Sequence, residues 1–325
     1  MTGDNEQVTR HVCAALGLVV QDVLCGPELE DLTDEALLAR LARTTLFCRV
    51  TPQQKSRIIM ALRRQGHVVG YIGDGINDAP SLHAADVGFS VDTAVDVAKD
   101  AASMILLRKD LGVLAEGVRE GRRTYANILK YILMGTSSNF GNMISMAAGV
   151  LFLPFLPMLP TQILLNNLLY DVSQLAIPLD RVDGAMLAKP RRWNMASIRR
   201  FMWVFGPLSA AFDLMTFGLL LLGFGADEVL FHTGWFVCSF AEQVLVIFII
   251  RSTHPLRDRP HPVLAVTSLS ALAVALALPY SPVAPWLGFV PVPAPVAGAL
   301  ALLTTTYLLV VFGTRRWLLG ADQAG

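Results

Sequence analysis

Two scales of apolar patterning divide the chain. Up to about residue 120, short apolar runs alternate with helix-period segments. From about residue 128 the runs lengthen to membrane-spanning size. In the first part, residues 6–16 read as a helix, Val19 and Val20 as a short strand, and residues 31–42 as a helix with acidic first turns. Thr45-Leu46-Phe47-Cys48-Arg49-Val50 reads as a strand. Thr51 and Pro52 then supply an N-cap and a first-turn proline for a helix running to about Arg64, with Gly66 ending it. Val68-Val69-Gly70-Tyr71-Ile72 is another apolar strand, followed by a strand over residues 86–90, a short helix over 94–99 and a strand over 103–107. Strands alternating with helices predict an α/β fold with a parallel, doubly wound sheet.

The long runs lie at about 130–153, 159–179, 201–223, 233–251, 263–280 and 293–313, which predicts an all-α membrane domain of six helices. Basic residues test that count. They fall before the first run (Arg122, Arg123, Lys130), between the second and third (Arg181, Lys189, Arg191, Arg192, Arg199, Arg200), between the fourth and fifth (Arg251, Arg257, Arg259) and after the sixth (Arg315, Arg316). The loops 154–158, 224–232 and 281–292 carry none. Positive loops stay cytoplasmic, so both ends and the α/β part are expected inside a cell membrane crossed six times. The expected domains are 1–118, a polar helical stalk at 119–130, and 131–325.

Composition agrees with this division. Hydrophobic residues make up 54% of the 325, and mean hydropathy is +0.51, values of a membrane protein. A formal net charge of zero argues against a nucleic-acid partner. Cys13, Cys25, Cys48 and Cys238 form no CxxC pair and read as reduced thiols. The polar start, Met1-Thr2-Gly3-Asp4-Asn5, lacks the apolar stretch of a signal peptide.

Candidate chemistry centres on Gly73-Asp74-Gly75-Ile76-Asn77-Asp78-Ala79-Pro80, directly after the 68–72 strand. Two carboxylates four residues apart, at the carboxyl end of a parallel strand, suit a Mg²⁺ site; an ordinary strand-to-helix turn uses the same residue types. Lys55 lies one helix and one strand earlier, so Thr2, Lys55 and Asp74 could converge on one rim. A hydroxyl, an ammonium and a Mg²⁺-binding carboxylate match what phosphoryl transfer requires, mostly positioning and charge neutralisation. Within the apolar runs, Asn139 and Asn142 lie in the first, and Asn167 and Asp171 in the second. Amide oxygens with one carboxylate suit a hard divalent cation, while interhelical hydrogen bonding is the plainer role. Asp213 and Glu242 also fall inside runs, where a structural or protonated role is favoured.

Thr2-Gly3-Asp4, Arg49-Val50-Thr51-Pro52-x-x-Lys55 and the octapeptide at 73–80 together resemble the haloacid-dehalogenase-like phosphorylation domain of a P-type ATPase. The resemblance implies that Lys55, Thr2, Gly3 and Asp4 belong to the catalytic phosphate site, with Asn77 near the phosphate. It implies that Asp74 and Asp78 hold or stabilise catalytic Mg²⁺, with ATP as the pump's substrate. Ser138-Asn139-Phe140-Gly141-Asn142, Phe155-Leu156-Pro157-Met158-Leu159-Pro160, Asn166-Asn167-Leu168-Leu169-Tyr170-Asp171-Val172-Ser173-Gln174 and Lys189-Pro190-x-x-Trp193 resemble the magnesium-transporting branch. There, Asn142, Asn167 and Asp171 are implied to carry the transported ion. The family's Asp-Lys-Thr-Gly-Thr loop, bearing the phosphorylated aspartate, and its Thr-Gly-Glu loop do not occur in these 325 residues. The chain is therefore expected to be the C-terminal part of a pump, inactive alone and partnered by an N-terminal part. A calcium pump, a non-catalytic membrane remnant or regulatory partner, and a phosphatase fused to a membrane domain are the alternatives.

Overall fold

A computed structural model of the chain describes residues 1–321 except 109, 189, 192, 253 and 256, with the side chains of 111, 185 and 316–321 also outside the description. It divides into two units, Met1–Gly117 and Val118–Gly325.

The first unit opens with α1 (Glu6–Ala15), capped by the Asn5 side chain accepting from the Val8 amide. Then follow β1 (Asp22–Cys25), α2 (Gly26–Asp31), α3 (Asp34–Leu41), β2 (Thr44–Cys48), α4 (Pro52–Arg64), β3 (Gly70–Ile72), α5 (Ala79–Ala84), β4 (Val87–Val91), α6 (Asp96–Ala101) and β5 (Met104–Leu106). All the pairings are parallel, but they form two small sheets, β1-β2 and β3-β4-β5. The first strand starts at Asp22, after the apolar Val19-Val20 pair, because Asp22 anchors it. Its carboxylate takes the Arg40 guanidinium at 3.2 Å and the Thr44 hydroxyl at 3.2 Å. The helix expected over residues 31–42 is α3, which starts at Asp34, where the Thr33 side chain caps it, while the preceding α2 ends at Asp31.

Helix α4 begins as its sequence dictates. The Thr51 hydroxyl accepts from the Gln54 amide, the Gln54 side chain accepts from the Thr51 amide, and Pro52 occupies the first turn. Its apolar face splits between two cores. Ile58 and Ala61 pack with Leu24, Leu29, Leu37 and Phe47 under the first sheet, and Ile59 with Val69, Tyr71, Leu82 and Val91 under the second. Residues 2–4 run along the end of β2. The Thr2 amide donates to the Phe47 carbonyl, the Val50 amide to the Thr2 carbonyl and the Arg49 amide to the Asp4 carbonyl. Arg49 turns through the left-handed region (φ 51°), directing the chain from β2 into the α4 cap.

Helix α7 (Leu111–Phe152) begins in the first unit and continues through the second. After it come α8 (Pro160–Gln174), α9 (Gly184–Ala188), α10 (Met195–Gly218), α11 (Glu228–Ile250), α12 (Pro262–Ala277) and α13 (Ala294–Ala321). Helix α11 is the core element: Phe231, Trp235, Phe236, Phe240, Val244 and Ile247 are all buried, against Leu264, Ala271 and Ala275 of α12 and Val296 and Leu300 of α13. Gly141 of α7 faces the Gly206 carbonyl and Ser209 of α10; an added Cβ would meet them at 3.0 Å, so a larger residue would force α10 to give way by a few tenths of an ångström.

Among the described residues, four stretches are long and apolar enough to cross a membrane: Met195–Gly223, Glu228–Ile250, Pro262–Tyr280 and Ala294–Arg315. The first two predicted runs fall short for different reasons. Helix α8 has only 15 residues before the chain breaks at Leu175. Helix α7 is long enough, but Ser137, Ser138, Asn139 and Asn142 dilute its apolar character.

Candidate functional site

The octapeptide forms a turn held by hydrogen bonds to β4 and within itself. The Gly73 amide donates to the Phe89 carbonyl (3.1 Å), and the Ser90 hydroxyl to the Gly73 carbonyl (2.9 Å), tying the turn to β4. Residues 76–78 make one 3-10 turn that leads into α5. A Cβ on Gly73 would lie 2.5 Å from the Asp78 Cβ, so glycine lets the Asp78 side chain fold back against the backbone. There the Gly75 amide donates to Asp78 Oδ2 at 3.3 Å.

Asp78 Oδ1 receives two further donors: Lys55 Nζ at 2.8 Å and the Tyr71 hydroxyl at 2.6 Å. The Lys55 and Asp78 side chains are 15% and 14% exposed. Burial pushes the Asp78 carboxyl up, but the Lys55 and Tyr71 hydrogen bonds outweigh it and hold the group below its ordinary range. Burial likewise opposes the charge on Lys55, yet Asp78 and Tyr71 leave its pKa raised. Burial, then the carboxylate, push Tyr71 up to about 12. The triad is therefore ammonium, carboxylate and neutral phenol at neutral pH.

Asp74 and Asn77 are exposed on the outer side of the same turn, and the Asp74 carbonyl accepts from the Val95 amide (3.3 Å). Thr2 lies beside the end of β2, its hydroxyl 2.8 Å from Asp4 Oδ2 and accepting from the Asp4 amide at 3.2 Å. Gly3 and Asp4 are exposed. The Met1 amine lies within electrostatic reach of Lys55, which places residues 1–4 on the Lys55 side of the unit. Among the described residues, no three His, Cys, Asp or Glu side chains gather closely enough to hold a metal by themselves. Asp74 nevertheless suits Mg²⁺, which keeps most of its waters and takes one or two carboxylates. Both oxygens of Asp78 accept hydrogen bonds, and Oδ1 pairs with Lys55. Tyr71 is the member that sequence reasoning missed. Its signal was present, since alternation along a strand puts Val69 and Tyr71 on one face, and both are buried.

In the second unit, Asn139 and Asn142 share one face of α7, and Asn167 and Asp171 one face of α8. Asn142 is half-buried; Asn139, Asn167 and Asp171 lie on the surface of the unit. The structure does not enclose these four in a cage. Asp213 is a buried acceptor, taking the Ser145 hydroxyl at 2.6 Å and Trp235 Nε1 at 2.7 Å. Buried Glu242 accepts from Cys238 Sγ at 3.6 Å.

Three basic residues read as loop charges are instead buried. Lys130 and Arg251 converge on Asp180, which is 0% exposed, at 3.1 and 3.4 Å, and Arg315 is 2% exposed. The His261 amide also donates to Asp180 (3.2 Å), and Lys130 to the Arg181 carbonyl (2.7 Å). Asp180 gave no warning because one Asp beside Arg181 reads as an ordinary loop pair. The Lys189-Pro190-x-x-Trp193 motif begins outside the described residues, as does Arg192.

Residues 155–317 match the family described as cation transporting ATPase, C-terminus. A protein of Salmonella typhimurium named "Magnesium-transporting ATPase, P-type 1" is 48% identical over 98% of this chain, as is the protein of that name in Escherichia coli K12. "Calcium-transporting ATPase 1" of Bacillus cereus is 37% identical over 59% of the chain. The chain spans 36% of the length of the magnesium-transporting relatives. The family match covers the apolar helices and the relatives' similarity runs on through the Lys55–Asp78 turn, so the chain belongs to the cation-transporting P-type ATPases.

Proposed function

We propose that this chain is the C-terminal part of an ATP-driven cation pump whose most fitting cargo is Mg²⁺. The observation that carries the reading is the Lys55–Asp78–Tyr71 triad beneath an exposed Asp74, in a chain that also holds the Asn142, Asn167 and Asp171 oxygens. The 48% identity to magnesium-transporting relatives supports the choice of ion, as does the neutral amide at position 142, which suits an ion keeping part of its water shell.

In this reading the two small sheets belong to one haloacid-dehalogenase-like domain. A carboxylate on the pump's N-terminal part attacks the terminal phosphoryl group of ATP; the new O–P bond forms as the bond to ADP breaks. Lys55 neutralises the phosphoryl oxygens, fixed in place by Asp78. Thr2 and Asn77 hydrogen-bond the phosphate, with Gly3 and Asp4 shaping the loop around Thr2. Asp74 holds catalytic Mg²⁺, which when bound neutralises the phosphate charge. The polar helical segment 119–130 links this domain to six membrane spans, the first two being the second half of α7 and α8. The basic-loop pattern sets both ends and the phosphorylation domain in the cytoplasm. Asn139, Asn142, Asn167 and Asp171 form one wall of the ion path, and the pump's N-terminal part supplies the facing wall.

The absence of Asp-Lys-Thr-Gly-Thr from these 325 residues favours no turnover by the chain alone. Co-expression tests both points. In a bacterium lacking magnesium uptake, the chain together with the N-terminal part of a magnesium-transporting relative should restore growth at low Mg²⁺, and neither part alone should. Failure of the pair, both parts being present in the membrane, would reject the reading.

A further inference from the structure

Helix α8 is polar on two faces. Asn167 and Asp171 point outward; Asn166, Tyr170 and Gln174, spaced four apart, point inward and are 4%, 4% and 3% exposed. Asn166 Nδ2 donates to Gln243 Oε1 of α11 at 3.4 Å, and Gln243 Nε2 to Ser239 Oγ at 2.9 Å. Ser138 of α7 and Gln174 approach the Tyr170 hydroxyl closely enough to act on it through hydrogen bonding, although none of these contacts reaches full hydrogen-bond geometry. Five atoms along this seam are buried with no protein partner: Ser138 Oγ, Asn166 Oδ1, Tyr170 Oη, and both Nε2 and Oε1 of Gln174.

Side-chain adjustment cannot close this set. A rotation could join Ser138, Tyr170 and Gln174 Oε1 in a row. Gln174 Nε2 would then still need an acceptor and Asn166 Oδ1 a donor. Their Cα atoms are eight residues apart on one helix, about 12 Å along its axis, beyond direct contact. A dry seam would leave amide groups orphaned inside a membrane domain, where the surroundings offer no substitute. A bare cation satisfies oxygens only, faces the Gln174 amide donor, and finds no carboxylate among the five atoms. Water donates and accepts, and so fits the whole set.

We propose that a file of ordered water molecules occupies the seam between α7, α8 and α11, running behind the outward face that carries Asn167 and Asp171. The waters bridge Ser138, Tyr170, Gln174 and Asn166. They also help to fix the rotation of α8, alongside the packing of Ile163, Leu165, Leu169 and Tyr170 against the apolar core.

Radiolytic hydroxyl labelling of the 325-residue chain in detergent tests this directly, because labelling of a buried side chain reports water beside it. Tyr307 of α13, 5% exposed, is the matched control for Tyr170. A hydrated seam predicts Tyr170 labelling several-fold faster than Tyr307; equal rates would overturn the proposal. Adding Na⁺, K⁺ or Mg²⁺ should leave the Tyr170 rate unchanged, and ion-dependent suppression would assign the seam to a cation instead. Thermal unfolding of Gln174→Met and Asn166→Leu gives an independent readout. Loss of water bridges should lower Tm by about 2–4 °C each, whereas a rise in Tm would mean the amides were dry and unpaired.

Discussion

Replacing Lys55 with methionine removes the ammonium and keeps most of the apolar stem, leaving the Asp78 carboxylate charged and largely enclosed. Breaking a buried pair by deleting one partner costs about 3–5 kcal/mol. Here the two side chains retain 15% and 14% exposure, and Tyr71 and the Gly75 amide still donate to Asp78. We therefore place the loss at about 2–3 kcal/mol. Strand β3 carries Tyr71 and leads into the turn, so the loss should appear as easier local opening there. At 1.4 kcal/mol per tenfold, amide exchange in Gly70–Ile72 should quicken about 30- to 140-fold. Hydrogen–deuterium exchange with mass spectrometry on the whole chain in detergent measures this. Asp78→Asn completes a double-mutant cycle, in which the pair should couple by about 1 kcal/mol or more. Additive effects, or exchange in Lys55→Met within about threefold of the parent, would refute the account of the turn.

Gly73→Ala should act on the same strand, because its Cβ would sit 2.5 Å from the Asp78 Cβ; exchange in Gly70–Ile72 should rise as for an overpacked site, by about 1–3 kcal/mol of opening. The pH dependence of the turn follows from the shifts. Asp78 is held below its unfolded value, so its contribution is present above about pH 4 and lost as pH falls through the folded value. Lys55 is raised, so its contribution fades only as pH climbs above the ordinary lysine value of 10.5. The protection difference between the parent and Asp78→Asn should thus be flat near neutrality and vanish in acid; a change centred near pH 7 would contradict it. Asp180→Asn leaves Lys130 and Arg251 buried without their shared counter-charge, at about 3–5 kcal/mol. Its Tm in detergent should drop by about 6–12 °C, and an unchanged Tm would make the cluster energetically idle.

Local rules carried the first unit far. Thr51, Pro52 and Gln54 announce the start of α4 by chemistry confined to four residues, and that start sets where Lys55 stands. Alternation in 68–72 marks the buried face that delivers Tyr71. What local rules lack is long-range pairing: the meeting of Lys55 with Asp78 needs the packing of α4 over β3. The start of α3 at Asp34 rather than Asp31 needs Thr33 to win as a cap over the acidic residues before it. In the second unit, apolar length identified α10 to α13, whose burial needs little else. Helix α7 resists that reading because it spends positions on amides and hydroxyls, and α8 because it stops after 15 residues. Counting basic residues by loop could not show that Lys130, Arg251 and Arg315 turn inward, since burial depends on Asp180 and on neighbouring loops distant in sequence.

The central claim is that the outward face of α7 and α8 holds the transported cation through Asp171. Calorimetric titration of Mg²⁺ into the detergent-solubilised chain, beside its Asp171→Asn variant, tests it most directly. Saturable binding by the parent, weakened about tenfold or more when the only carboxylate of the set is neutralised, is the predicted result. Equal affinity in the two proteins, or no saturable binding by the parent, would contradict it.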